Sequence, residues 1–233
     1  MNARHGLNPR PSGRGARQFT DTNTSENGFI VDAVTDDAEN GDNGWTAAGF
    51  SRVGKIATKE HPRSYIAENR RYTGYGAYLE TGPYNAGFSN TPARREIYEH
   101  YPYREGVLVW LWDTYYTDNA TRNHPGEGMI LPIDAHPIPL LWKDNSMVND
   151  RVQGFDAPFG LSPTGRLALH KDGARTIFTS LPATPAFNDR SGVYWYSTNP
   201  LRGVRPPDTN TEIKVIREAA RGLRTTITVG PAS

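Results

Sequence analysis

The chain has 233 residues, with 26 Lys plus Arg against 25 Asp plus Glu and a formal charge of +1. That balance argues against a dedicated nucleic-acid binder, and the absence of cysteine excludes disulfide frameworks, thiolate metal sites and a cysteine nucleophile. Gly 23, Pro 18 and 11 % aromatic residues require many turns around a packed core and exclude a mostly disordered chain.

Residues 1–27 read as a disordered basic tail. Arg4, Arg10, Arg14 and Arg17 sit in a Gly/Pro/Ser/Asn/Thr background with no acid before Asp21, and such a segment cannot offset its ordering entropy. No apolar h-region accompanies the arginines, so no signal peptide is expected here. The tail is read as a truncation junction, with a basic arm for nucleic acid or lipid as the functional alternative.

From Phe29 onward the signal is short strands broken by turns. Phe29 to Val34 is strand-like and leads into the acidic stretch Asp36 to Gly44. There Asp36, Asp37, Glu39, Asp42 and Asn43 offer hard oxygen ligands, and Ca²⁺ accepts about 6–8 oxygens in irregular geometry. The spacing departs from the EF-hand pattern. A hydrated turn is the alternative, with Asn40-Gly41 and Asn43-Gly44 as turn dipeptides. Ser64 to Ala67 and Tyr75 to Leu79 are aromatic and partly alternating, as half-buried strands are.

Val107 to Trp112 is apolar on both alternation faces, which predicts a central strand. It is also the longest strongly apolar run, well short of the roughly 20 residues of a membrane span. Met129 to Ile133 is a second core segment, and Pro132 predicts an edge, a bulge or a strand end. The polar stretch Asp113 to Gly128 between them predicts a hairpin with a long loop. At the C-terminus, Glu212 to Arg217 and the alternating Leu223 to Val229, with Gly222 between, predict a final β-hairpin. Helical periodicity is weak, with room for a turn or two only at Thr91 to His100 and Arg217 to Arg221. The pattern predicts an all-β chain, a jelly-roll-like β-sandwich with long loops.

The six histidines are His5, His61, His100, His124, His136 and His170, and none is followed by Glu. The chain therefore has no H-E-x-x-H, the pair of imidazoles and glutamate base that a zincin peptidase needs. His124, Asp134 and His136 have no metal-site spacing. They are expected to organise the loop together with Asp113, Asp118 and Asn119, whose oxygens suit Asx-turns. Removing a buried one of these histidines is expected to cost about 1–3 kcal/mol through unpaired partners. There is no G-x-S-x-G nucleophile elbow. Gly74-Tyr75-Gly76 is not a dinucleotide fingerprint. Asp113, Asp118, Glu127 and Asp134 are also weighed as a glycosidase pair. The many aromatics, from Tyr98 to Trp142 and from Tyr194 to Tyr196, either fill a core or line a sugar or peptide groove.

The run Trp112 to Gly128, with its Thr-Asp-Asn-Ala-Thr-Arg-Asn-His-Pro-Gly-Glu core at Thr117–Glu127, leads into Leu131-Pro132-Ile133-Asp134-Ala135-His136-Pro137. With Asp37–Trp45, Tyr65–Arg70, Thr81–Asn85, Glu99–Tyr103 and Phe155–Leu161, it closely resembles the C-terminal region of immune inhibitor A-like secreted zinc metallopeptidases. The resemblance covers about residues 28–220. It implies that 28–34 is the last strand of a preceding β-domain and 35–233 a β-sandwich domain. It also implies a secreted origin, a peptidase catalytic domain as partner, and zinc only in that catalytic domain, which this chain lacks. No catalytic residue carries over. The expected role is a non-catalytic accessory domain, with a stand-alone glycan- or peptide-binding module as the rival.

Overall fold

The computed structural model describes residues 17–20, 27–31, 51–57, 62–70, 72, 101–148, 150–218 and 225–232. Its eleven described strands are β1 (Arg17–Thr20), β2 (Asn27–Val31), β3 (Ser51–Ala57), β4 (Pro62–Arg70), β5 (Gly106–Asp113), β6 (Ile130–Ile133), β7 (Leu167–Lys171), β8 (Ala174–Phe178), β9 (Ala186–Asn188), β10 (Thr211–Glu218) and β11 (Thr225–Pro231). Among the described residues, helix is limited to one α-turn, α1 (Asp150–Gln153), and the 3-10 turn Gly154–Asp156 that follows it. The chain is all-β.

Three sheets form. One has the order β2-β3-β4-β5-β6, a second β1-β11-β10-β9, and β7 pairs with β8 alone. From β3 to β6 the strands follow one another as an antiparallel meander. β5 lies between β4 and β6, and Val107, Leu108 and Val109 are buried, as a strand apolar on both faces must be. Pro132 lies in the edge strand β6, where a missing N–H is tolerated. The C-terminal hairpin is the antiparallel pair β10–β11, with Ile213 and Val215 opposite Val229 and Ile227.

β1 lies inside the stretch that composition reads as a tail, and pairs antiparallel with β11. β2 pairs with both β3 and β4. Tyr75–Leu79 and Thr91–His100 lie outside the described residues. Arg217 and Glu218, which open the last segment with helical room, are strand residues of β10.

The two larger sheets share one buried cluster. Tyr65 and Ala67 of β4, Val107, Val109 and Leu111 of β5, and Leu131 and Ile133 of β6 join Phe187, Ile213, Val215, Ile227 and Val229 of the other sheet. Phe187 sits at its middle, its ring 4.9 Å from Tyr65 and 5.2 Å from Tyr194. A satellite cluster of Trp142, Val148, Val152, Leu167 and Leu169 packs under the β7–β8 hairpin. Phe187 is fully buried. Phe187→Ala should lower unfolding free energy by about 3–5 kcal/mol in urea titrations, and a loss below about 1 kcal/mol would show that the two sheets do not share this core.

Candidate functional site

The loop after β5 is organised by its own polar side chains. Asp113, at the end of β5, stands opposite Arg63 of β4 and accepts its Nε–H at 2.6 Å. Its other oxygen accepts the Tyr115 N–H at 2.9 Å. Asp118 accepts the Ala120 N–H at 2.7 Å, and Asn119 accepts the Ile130 N–H at 2.8 Å. His124 lies with Nδ1 2.5 Å from the Glu127 carbonyl and Nε2 2.8 Å from Asp118 Oδ1. The Glu127 carbonyl, and then Asp118, raise the His124 pKa. The Tyr116 hydroxyl donates to Glu127 at 2.5 Å, which pushes that phenol up to about 12. These contacts close the loop upon itself, upon β4 and upon β6.

The second constellation lies at the end of β6. Asp134, His136 and Asp156 bring one potential ligand atom each to within 4.8 Å of one another. His124 is not part of this group. Asp134 Oδ1 accepts the His136 N–H at 2.8 Å. The His136 ring lies between two carbonyls, with Nδ1 2.8 Å from Asp156 O and Nε2 2.9 Å from Pro182 O. Thr184 Oγ1 is 3.1 Å from the same Nε2. Each ring nitrogen therefore has a backbone carbonyl within hydrogen-bond distance. Both nitrogens are thus engaged with the backbone, which argues against His136 as a metal ligand.

Sequence reasoning missed Asp156, because its partners come from distant segments. Burial pushes the Asp134 carboxyl up to about 6. Burial, and then the neighbouring Asp134, push Asp156 up to about 8. Three of the carboxylates weighed as a pair have partners of another kind. Asp113 faces Arg63, Asp118 faces His124, and Glu127 faces Tyr116. The residues weighed for calcium, Asp36, Asp37, Glu39, Asp42 and Asn43, lie outside the described residues.

A cavity of about 470 Å³ opens beside β6, between the main core and the satellite cluster. Tyr72, Tyr101, Tyr103, Phe155, Asp134 and Arg202 are among its lining residues. Gly203 closes one side. Its φ is +80°, and a Cβ there would lie 2.2 Å from the Tyr194 carbonyl oxygen, so only glycine fits. Most other large aromatics are structural. Trp142 and Tyr194 are buried, and Trp195 carries Arg205 at 3.6 Å from its ring centre. Tyr98 lies outside the described residues. No helix among the described residues is long and apolar enough to cross a membrane.

The raised carboxyls set a pH dependence. The unfolded chain releases these protons near pH ~4, whereas the folded chain holds them to about 6 at Asp134 and about 8 at Asp156. The folded state binds more protons across that window, so their contribution to stability is complete below it and is lost as pH rises through it. The unfolding midpoint should therefore fall between about pH 5 and about pH 8, and Asp156→Asn should flatten the slope. An unchanged slope in that variant would show that the pair is not protonated in the fold.

The sequence pattern of the immune inhibitor A-like metallopeptidase VEG domain matches residues 58–227. The chain is 26 % identical over 217 residues to immune inhibitor A of Bacillus thuringiensis subsp. alesti, covering 86 % of this chain and 28 % of that protein. It is 36 % identical over 89 residues to the pre-pro-metalloprotease PrtV of Vibrio cholerae serotype O1, covering 37 % of this chain and 10 % of that protein. The chain thus spans less than a third of the length of these relatives.

Proposed function

Because the chain belongs to the immune inhibitor A-like metallopeptidase VEG domain family, we propose that it is a non-catalytic accessory β-domain of a secreted metallopeptidase, packing against and supporting the peptidase domain. The observation that carries this reading is the match over residues 58–227 in a chain without H-E-x-x-H. The closed contacts of the polar side chains support it. His124, His136, Asp113, Asp118 and Asn119 spend hydrogen-bonding atoms on holding loops together and to neighbouring strands, and such groups have little capacity left for a reacting substrate.

The two larger sheets are read as the layers of a jelly-roll-like sandwich, a reading supported by their common buried cluster. Exposed apolar side chains at Ile138, Leu141 and Met147 give a partner something to cover. Zinc chemistry belongs, in this reading, to the peptidase domain. Secretion, and contact with that domain, are proposed from the family alone.

Two measurements test the proposal together. The 233-residue chain by itself should leave casein intact. Deleting the stretch that corresponds to residues 58–227 from the Bacillus immune inhibitor A should lower the Tm of its peptidase domain, since a packed neighbour stabilises what it binds. Casein cleavage by the purified chain would overturn the non-catalytic reading, and an unchanged peptidase Tm would overturn the supporting one.

A further inference from the structure

The cavity beside β6 differs from the closed loops. Its volume of about 470 Å³ falls in the ~300–1,000 Å³ range of small-molecule sites. Its aromatic wall is formed by Tyr72, Tyr101, Tyr103 and Phe155. The Tyr72 hydroxyl donates to the Tyr103 carbonyl and the Tyr101 hydroxyl to the Ala168 carbonyl. Two of the rings are therefore held in place before any ligand arrives, and held side chains lose little freedom on binding.

The polar groups of the cavity are few and chemically varied. Asp134 supplies an acceptor, and its carboxylate is oriented by the His136 N–H at 2.8 Å. Arg202 supplies donors, and Asn199 supplies one group of each kind. Arg70, also at the cavity, is paired with Glu68 at 3.0 Å. Asp134 and Arg202 bring groups of opposite charge to the same cavity, so no net charge there selects an ion of one sign. That favours a neutral ligand whose groups both donate and accept. Strand addition at this edge is disfavoured, because Pro132 of β6 has no N–H to offer.

We propose that this cavity binds a neutral pyranose sugar, with the CH face of the ring against the tyrosines and its hydroxyls shared among Asp134, Asn199 and Arg202. A pyranose offers both an apolar face and hydroxyls that donate and accept, which is the combination these walls present. The domain would then be a support that also carries a glycan contact, and this inference stands independently of the peptidase partner.

The test uses the full 233-residue chain, titrated with methyl glucoside, methyl galactoside, N-acetylglucosamine and their disaccharides by calorimetry and saturation-transfer NMR. At least one should bind with a Kd of about 1 mM or tighter. Arg202→Ala and Tyr103→Ala should each weaken it about ten-fold or more, with Tyr103→Phe retaining binding. Asn199→Ala provides a further variant should Tyr103→Ala unfold. Three results would overturn the proposal: no saturable binding of any of these sugars to the folded chain, sugar binding that survives in folded Arg202→Ala and Asn199→Ala alike, or a proline- and tyrosine-containing peptide that binds at the cavity while every sugar fails.

Discussion

One buried hydrogen bond links the two larger sheets. Tyr65 of β4 crosses the core and donates its hydroxyl to Asp189, just beyond β9 in the other sheet, at 3.1 Å. The same carboxylate accepts the Thr209 N–H at 3.0 Å, the Thr209 hydroxyl at 2.5 Å and the Thr211 N–H at 2.8 Å. Asp189 is 3 % exposed. A charge so placed is tolerable only when its lone pairs are filled, and here they are filled by the start of β10 and by the opposite sheet. The buried carboxylate thereby joins residues of the two larger sheets. Burial, and then Asp189 itself, hold the Tyr65 phenol well above its ordinary pKa, so the hydroxyl remains a donor. A second link, from Thr225 to Asn69 at 3.0 Å, ties the far hairpin to β4.

With the sheets fixed, the loops can be set by local chemistry. Arg63 and Asp113 are opposed because β4 and β5 pair in that register. That pairing aims Asp113 at the loop that follows, where Asp118, Asn119 and His124 continue the same pattern of side-chain oxygens or nitrogens meeting the backbone. At the end of β6, the Asp134–His136–Asp156 group does the same for three separate segments, and Asp134 also lines the cavity. Function in this domain is therefore read from what the architecture leaves open: an apolar rim at Ile138, Leu141 and Met147, and one aromatic cavity with a few polar groups.

Much of the fold was legible from local pattern. Val107–Trp112 is apolar on both faces and had to be central, and the alternation of Leu223 to Val229 had to be half of a hairpin. The β7–β8 hairpin escaped notice, although Asp172-Gly173 is a strong turn signal. Both residues have positive φ, +51° and +82°, as a two-residue hairpin turn requires. The signal was lost because β8 is mostly exposed and lacks a core face. The site was less legible. The Asx-turn residues and His136 could be singled out from their polar loops. Asp156 and Asp189 could not, because what distinguishes them is burial against partners far away in sequence. The cavity draws on residues from Arg70 to Gly203, a gathering that only the sheet topology produces.

The link between sheets can be measured directly by a double-mutant cycle in urea with Tyr65→Phe, Asp189→Asn and the pair, alongside the unfolding of the unaltered chain. If the tether joins the layers into one cooperative unit, the unaltered chain unfolds in a single transition. The two substitutions should then couple by about 1.5–3 kcal/mol, the range of a buried hydrogen bond to a charged group. Additive effects, or two separate transitions in the unaltered chain, would show that the sheets stand independently and that the architecture does not rest on this bond.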